Sequence, residues 1–223
     1  MCGRFTVRTA PKVKLPGVHH SELPFEARYN VAPTQEVPVL ADFGRGLELR
    51  NIVWGLLPAR SSDGKRFINA RAETIESRAS FSESFRRRRC LILADGFFEW
   101  KRSFGSKQPY FIHMSDESAF AFAGIWDSSG NEAPSCAIIT TTANETLKPI
   151  HERMPVILGP ESYSLWLDPQ AHFAALRKLL VPFPAASMSS HPVSRLVNSA
   201  QNDGPELIKR EDNEVGTNLT LFQ

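Results

Sequence analysis

The sequence has few cysteines, no long apolar run and no excess of charge of one sign. Its three cysteines are Cys2, Cys90 and Cys136. An odd count without a secretion signal argues against a disulfide framework. There is no Cys-x-x-Cys and no His/Cys cluster at zinc-ligand spacing, so no metal and no other cofactor is expected. No apolar run approaches the roughly 20 residues needed to span a bilayer. The start, MCGRFTVRTA, lacks the apolar core of a signal peptide. These absences place the chain in the cytoplasm, away from membranes. The balance of 26 Lys and Arg against 24 Asp and Glu leaves a net charge of only +2. Nothing in the composition demands more than a monomer.

The distribution of charge says more than its sum. Between Arg60 and Arg102 there are eleven bases and six acids, a basic zone on a near-neutral chain. Such a zone suits an anionic partner met over a limited surface. The 223 residues, 42% of them hydrophobic, suffice for a sizeable core. Short apolar runs read as strands at 37–41, 47–54, 91–94, 110–113, 119–125, 136–142 and 155–158. Many are continuously apolar, as expected for strands covered on both faces. Asp168 followed by Pro169 reads as a helix start, with Phe173, Leu176 and Leu180 on one apolar face. A shorter helix is expected near Pro160. The segment 73–88 is polar and helix-compatible, with Phe81 and Phe85 at i, i+4. No repeat or linker divides the chain. The pattern predicts one α+β domain over residues 1–208, with a strand-rich, barrel-like mixed β core and peripheral helices. A polar tail follows at 209–223.

Cys2 carries the sharpest chemistry. Loss of Met1 would leave an α-amine and a thiol on one residue. An α-amine titrates at about 7.7–8.0, so much of it is nucleophilic near neutral pH. The thiol, at about 8.5, supplies some thiolate. With an aldehyde, such a pair forms a Schiff base that the sulfur closes to a thiazolidine. The same pair can attack an amide carbonyl as an N-terminal nucleophile. Cys90 and Cys136 lie in the runs CLILA and CAII and read as small buried hydrophobes.

Six motifs then occur in order: MCGRF at the start, RYNVAP at 28–33, INARAET at 68–74, ADGFFEW at 94–100, HERMPVIL at 151–158 and HPVSRLVN at 191–198. Together they resemble the SOS-response-associated peptidase (SRAP) family, whose members shield abasic sites in single-stranded DNA. The resemblance implies a single α+β domain and covalent capture of the abasic aldehyde by Cys2. It also carries catalytic roles to Asn69, Glu99 and His151. Arg71 and Arg153 match positions that bind phosphates, Arg4 and Arg78 are further candidates, and Trp54 matches an aromatic that packs against bases. Where the family has further tryptophans after Trp54, this chain has ARSSDGKRF. The expected partner is single-stranded DNA bearing an abasic site, with the protein on the nucleoid when bound.

These residue types suit the chemistry. Opening a closed deoxyribose needs proton transfer, which a carboxylate of raised pKa can perform. Glu99, between Phe98 and Trp100, has an apolar setting. His151 is a natural proton shuttle, and Asn69 offers both a donor and an acceptor. Cations along a backbone with aromatics under bases is the usual pattern for single strands. His19, His20, His113 and His172 lie in no such motif and read as structural, and His191 before Pro192 reads as packing. The run Arg86–Arg89 fits equally a solvated helix end and a DNA-facing patch. Three readings stay open: an abasic-site crosslinking protein with lyase and reversal branches, a Cys2 peptidase or amidohydrolase, and a non-catalytic single-strand binding module.

Overall fold

The structure is a computed structural model that describes residues 2–10, 25–58, 64–103, 106–128 and 133–211. Along the chain run β1 (Arg4–Val7), β2 (Arg28–Val31), β3 (Glu36–Asp42), β4 (Leu47–Trp54) and β5 (Asn69–Arg71). After α1 (Ser82–Arg87) come β6 (Arg89–Ala94), β7 (Gly96–Ser103), β8 (Ser106–Met114), β9 (Phe120–Asp127), β10 (Ser135–Thr142), β11 (Arg153–Pro155) and β12 (Ile157–Leu158). Then follow α2 (Tyr163–Leu167), α3 (Phe173–Leu179) and β13 (Met188–Pro192).

Two sheets carry the molecule. The first is antiparallel, in the order β13-β8-β7-β1-β2. The second runs β11-β10-β4-β3-β6-β9-β12, with β5 added beside β10. Strands β9 and β10 also pair, so β10, β4, β3, β6 and β9 form a closed ring. The pairings of β10 with β4 and with β5 are parallel and the others antiparallel, which makes this sheet mixed. The expected α+β class and strand-rich core are both present. Closure removes the open edges that invite pairing with other chains.

One core cluster joins the sheets through Phe5, Phe97 and Ile112 on one side and Val39, Trp54, Ile92 and Phe122 on the other. A second lies under the helices, where Phe85, Trp166 and Leu176 meet Leu91 and Ile139. All eight residues of β9 are buried, which explains its uninterrupted apolar run. Phe81 and Phe85 are both buried, so that i, i+4 pair marks a genuine inward face.

Three expectations about elements need correction. Asp168 does not start a helix. Its carboxylate accepts from Gln170 N at 2.8 Å in a turn, and α3 begins later with His172 Nδ1 accepting from Ala174 N at 3.2 Å. The segment 73–88 is helical only at Ser82–Arg87. The stretch before it is held in turns onto the carbonyls of Thr74 and Arg78, where serines compete poorly for helix. The apolar run 155–158 is two strands, because the chain changes partners at Val156. Val156 N donates to Ile139 O at 2.8 Å and Val156 O accepts from Ala123 N at 2.9 Å. Five further strands (β1, β2, β5, β7 and β13) are short or polar and escaped the apolar pattern.

Among the described residues, no helix is long and apolar enough to cross a membrane. Of the polar tail, 212–223 lie outside the described residues, while Arg210 bridges to Val193 and Glu211 N donates to Pro192 O at 2.8 Å. His19, His20 and residues 59–63 of the ARSSDGKRF stretch also lie outside them.

Strand β1 is an interior strand of its sheet, and a buried carboxylate clasps its far end. Asp95 accepts from Thr6 Oγ1 at 2.6 Å, Arg8 N at 2.5 Å, Arg8 Nε at 3.0 Å and Thr9 N at 3.1 Å. Gly96, next to it, has no room for a side chain, since a Cβ would sit 2.3 Å from Phe111 Cζ. Asp95→Ala strands a partly buried guanidinium and two amides. It should therefore lower unfolding free energy by about 3 kcal/mol. Urea denaturation measures this, and an unchanged midpoint would show that β1 holds without the clasp.

Candidate active site and nucleic-acid interface

Cys2 lies two residues before β1 and is fully buried, at 0% exposure. β1 pairs with β7 so that Arg4 lies opposite Phe98 and Phe5 opposite Phe97. Continuing that antiparallel register brings the start of the chain alongside Glu99. Strand alternation turns Glu99 to the same face as Phe97, into the interior, where it is 2% exposed. From the second sheet, Asn69 at the head of β5 donates from Nδ2 to Cys2 O at 2.8 Å. Its Oδ1 is buried without a hydrogen-bond partner among the described residues. His151, in the connection from β10 to β11, lines one cleft with Glu99. All four residues expected to be catalytic thus meet at one end of the sheet contact.

The cleft has a volume of about 420 Å³ and is lined by Glu99, Trp100, Arg102, Lys107, His151 and Asn198. Burial raises the Glu99 carboxyl above its ordinary value. The positive charges of the terminal amine and of His151 oppose the shift only in part. Burial also pushes up the Cys2 thiol, and the nearby Glu99 charge adds to it. A carboxylate beside a buried thiol keeps it protonated, the reverse of the cationic setting that makes a thiolate.

The arginines fall into different settings. Arg71, at the end of β5, and Arg78 are exposed. Arg78 lies over the rings of Phe67 and Phe81, at 5.3 and 5.2 Å from their centroids. Arg4 is engaged within the protein, donating to Asn30 Oδ1 at 2.9 Å, Val197 O at 2.8 Å and Asn198 O at 3.1 Å. Arg153 forms a two-pronged pair with Glu73, at 2.6 and 3.0 Å.

Trp54 requires a correction. It was expected to stack on bases, yet it is wholly buried, packs edge-on against Phe5 at 5.0 Å and donates from Nε1 to Ile68 O at 2.9 Å. Its ring braces β1 against the segment that carries Asn69. The run Arg86–Arg89 also divides. Arg86 and Arg87 are exposed on the last turn of α1, and Arg88 pairs with Asp127 at 3.2 Å. Arg89 is buried and donates to the carbonyls of Phe85, Arg86, Trp166 and Asp168.

Several supporting residues were not singled out from sequence. Asn30 Nδ2 donates to Val197 O, Ser199 O and Asn202 O. Asp203 accepts from Tyr29 N at 2.5 Å and Asn30 N at 2.7 Å. These bonds dock the C-terminal segment beside Arg4, and Asn198 of that segment accepts from Trp100 Nε1 at 2.7 Å. Asn30 and Asp95 lie inside recognised motifs, which was the available signal. Arg102 and Lys107, cross-strand neighbours on β7 and β8, lie in no motif. Cys90 and Cys136 are buried and burial pushes both thiols up. His113 stacks on Phe111 at 5.3 Å and pairs with Glu117 at 2.9 Å, while His191 Nε2 contacts Ile208 O at 2.8 Å.

Fold and site together define a two-sheet α+β protein with a cysteine, asparagine, glutamate and histidine at the head of its first strand. The SOS response associated peptidase (SRAP) family model matches residues 1–200, and the chain belongs to that family. It is 39% identical over 222 residues to the abasic site processing protein YoqW of Bacillus subtilis, covering 94% of this chain and 99% of that one. It is 34% identical to YedK of Escherichia coli, with the same coverage of 94% and 99%. It is 32% identical to HMCES of Mus musculus, covering 87% of this chain and 70% of that one. Among solved structures, a protein from Bacteroides thetaiotaomicron superposes with a TM-score of 0.74 at 31% identity, covering 82% of this chain and 85% of that chain. A phage-related protein from Bordetella bronchiseptica gives 0.71 at 30% identity, covering 87% and 95%.

The raised Glu99 carboxyl has a sign that stability can test. A carboxyl whose folded pKa lies above its unfolded value favours folding at low pH, and that support is lost as pH rises through the folded value. Glu99→Gln should therefore melt with the wild type at acid pH and above it at neutral pH. The gap should open upward from the ordinary value of 4.5. Thermal melts from pH 4 to 8 measure it, and a variant less stable at neutral pH would mean that the charged form is the better held.

Proposed function

We propose that this protein captures the aldehyde of abasic sites in single-stranded DNA through Cys2, once Met1 is removed. The carrying observation is that Asn69 holds Cys2 near Glu99, and that Glu99 shares a cleft with His151. The names of the relatives, abasic site processing proteins, supply the substrate class.

The amine nitrogen of Cys2 attacks the open-chain aldehyde carbon. The carbonyl oxygen leaves as water after two proton transfers, giving a Schiff base. Sγ then adds to the imine carbon, its proton passes to the ring nitrogen, and a five-membered thiazolidine closes. Glu99, with its raised pKa, can open the sugar ring and take and return these protons. Asn69 holds the Cys2 carbonyl, and its buried Oδ1 is an acceptor for the new amine. A thiol kept protonated suits this order, with the amine first and the sulfur second. It suits a peptidase poorly, because that chemistry needs a thiolate prepared by a cation. Before closure the imine is open to β-elimination, which gives the lyase branch. Arg71, Arg102 and Lys107 supply the cationic surface for phosphates.

The test is a denaturing gel after incubation with single-stranded DNA bearing one abasic site. The wild type should give a heat-resistant shifted band that Cys2→Ala abolishes, and intact mass should show Met1 absent. Efficient crosslinking by protein that keeps Met1 would overturn the aminothiol route. Peptide cleavage without a crosslink would favour the peptidase, and binding that survives Cys2→Ala with no band in either protein would favour a passive binding module.

The phosphate surface is tested separately. Arg71→Ala should weaken single-strand binding and reduce the slope of log affinity against log salt by about 0.7, one contact's share. An equal slope in both proteins would remove Arg71 from the interface.

A further inference from the structure

The hairpin of β7 and β8, which lines one side of the cleft, carries charge of one sign. Its sequence there, KRSFGSK at 101–107, has three bases and no acid. Arg102 of β7 and Lys107 of β8 lie directly opposite each other in the ladder, and both are exposed. Residues so placed have Cβ atoms about 5 Å apart, and like charges there repel. Among the described residues neither Arg102 nor Lys107 meets a carboxylate. Glu211 comes within 3.4 Å of Gln108, which sits on the alternate face opposite Lys101. An anion received between Arg102 and Lys107 would turn this repulsion into two charge-assisted contacts.

A third donor stands beside them. Trp100 Nε1 lies 2.7 Å from Asn198 Oδ1. An indole only donates, so the amide oxygen faces it and Asn198 Nδ2 is left to donate elsewhere. Trp100, Arg102, Lys107 and Asn198 all line the cleft that holds Glu99 and His151. Its volume of about 420 Å³ falls within the roughly 300–1,000 Å³ of small-ligand sites. An aldehyde near Glu99 and an anion at Arg102 and Lys107 would thus be neighbouring groups of one ligand, not distant parts of a strand.

The charge of that ligand follows. A phosphodiester inside a strand carries one negative charge, which a single exposed arginine such as Arg71 can meet. A terminal phosphomonoester carries about −1.5 to −2 at pH 7 and three acceptor oxygens. Two cations and an amide match the second. We propose that Arg102, Lys107 and Asn198 form a subsite for a terminal phosphomonoester, and that the preferred substrate is an abasic sugar at a strand end. Hydrolytic incision of DNA beside an abasic site must supply such ends. Water splits one phosphodiester there, leaving a hydroxyl on one fragment and the monoester on the other. The fate of the aldehyde rests on the capture reading above. The phosphate subsite does not.

A tetrahydrofuran analogue of the abasic sugar has no aldehyde and cannot react, so it reads the subsite apart from capture. Single strands ending in this analogue, at the 5′ or the 3′ end, carry either a terminal phosphate or a hydroxyl and are compared by fluorescence anisotropy. At one of the two ends, wild type should bind the phosphate form about tenfold tighter. No preference at either end overturns the subsite. Arg102→Gln and Lys107→Gln together should bring the ratio to about one, whereas Arg71→Ala should weaken both forms and keep the ratio. A ratio that survives the joint substitution assigns the preference to other residues and overturns the proposal. Asn198→Asp keeps the bond to Trp100 but sets a negative charge at the third donor, so the ratio should fall. An unchanged ratio removes Asn198 from the subsite. Free 2-deoxyribose 5-phosphate should displace the phosphate-ended strand only in large excess. Displacement at equal concentration would assign the subsite to free sugar phosphates instead of strand ends. With true abasic sugars, crosslinking should follow the same preference. A tenfold ratio for the analogue without a crosslink to any abasic strand would sink the capture reading alone.

Discussion

The site depends on one constraint, that the first strand of the chain is an interior strand. Chain starts usually fray unless they are tied into a sheet. Here β1 is hydrogen-bonded on both edges, by β7 and by β2. Phe5 packs against Trp54 and Phe122 at 5.0 and 5.7 Å. Asp95 holds the strand from Thr6 onward, and Asn69 holds Cys2, two residues before it. Cys2 is thereby given the immobility of a core residue. Placing it within reach of Glu99 and His151 costs no further ordering of loops, and such ordering is where much of the expense of assembling a site usually falls.

The same constraint explains why the motifs extend beyond the chemistry. RYNVAP contributes Asn30, whose amide group docks the C-terminal segment and receives Arg4. ADGFFEW contributes both the clasp, Asp95, and the buried carboxyl of Glu99, four residues apart on one turn and strand. HPVSRLVN contributes Val197 and Asn198, whose carbonyls hold Arg4. Much of what looks like a DNA-binding pattern in sequence is the frame that keeps β1 in place. Trp54 is the clearest case, wholly buried against Phe5 of β1, while Arg4 ties β1 to the C-terminal segment.

The sequence made the ring sheet legible, because most of its strands, β3, β6, β9 and β10, are buried over nearly their whole length. It made the four site residues legible through their motifs. It could not disclose β1, β2, β5 and β13, since strands of three to five residues with polar members show no period. β7 was hidden differently. GFFEWKRS alternates only in part, because its buried position 99 carries a carboxylate instead of an apolar side chain. Side-chain commitments lay beyond reach altogether. Whether an arginine meets a phosphate or a glutamate depends on what the fold brings opposite, and Glu73 faces Arg153 across 80 residues of chain.

Burial sets the order of events in the cleft. Desolvation raises both Cys2 and Glu99, so at neutral pH the pocket disfavours two negative charges side by side. On the proposed capture route, Glu99 in its neutral form can protonate the sugar oxygen, and the buried thiol gives up its proton only as sulfur adds to the imine. A pocket built to stabilise thiolate would react with any electrophile that entered. On the proposed route the sulfur waits until the amine has made its own bond, and aldehydes are favoured because an amide carbonyl gives the amine no imine to form.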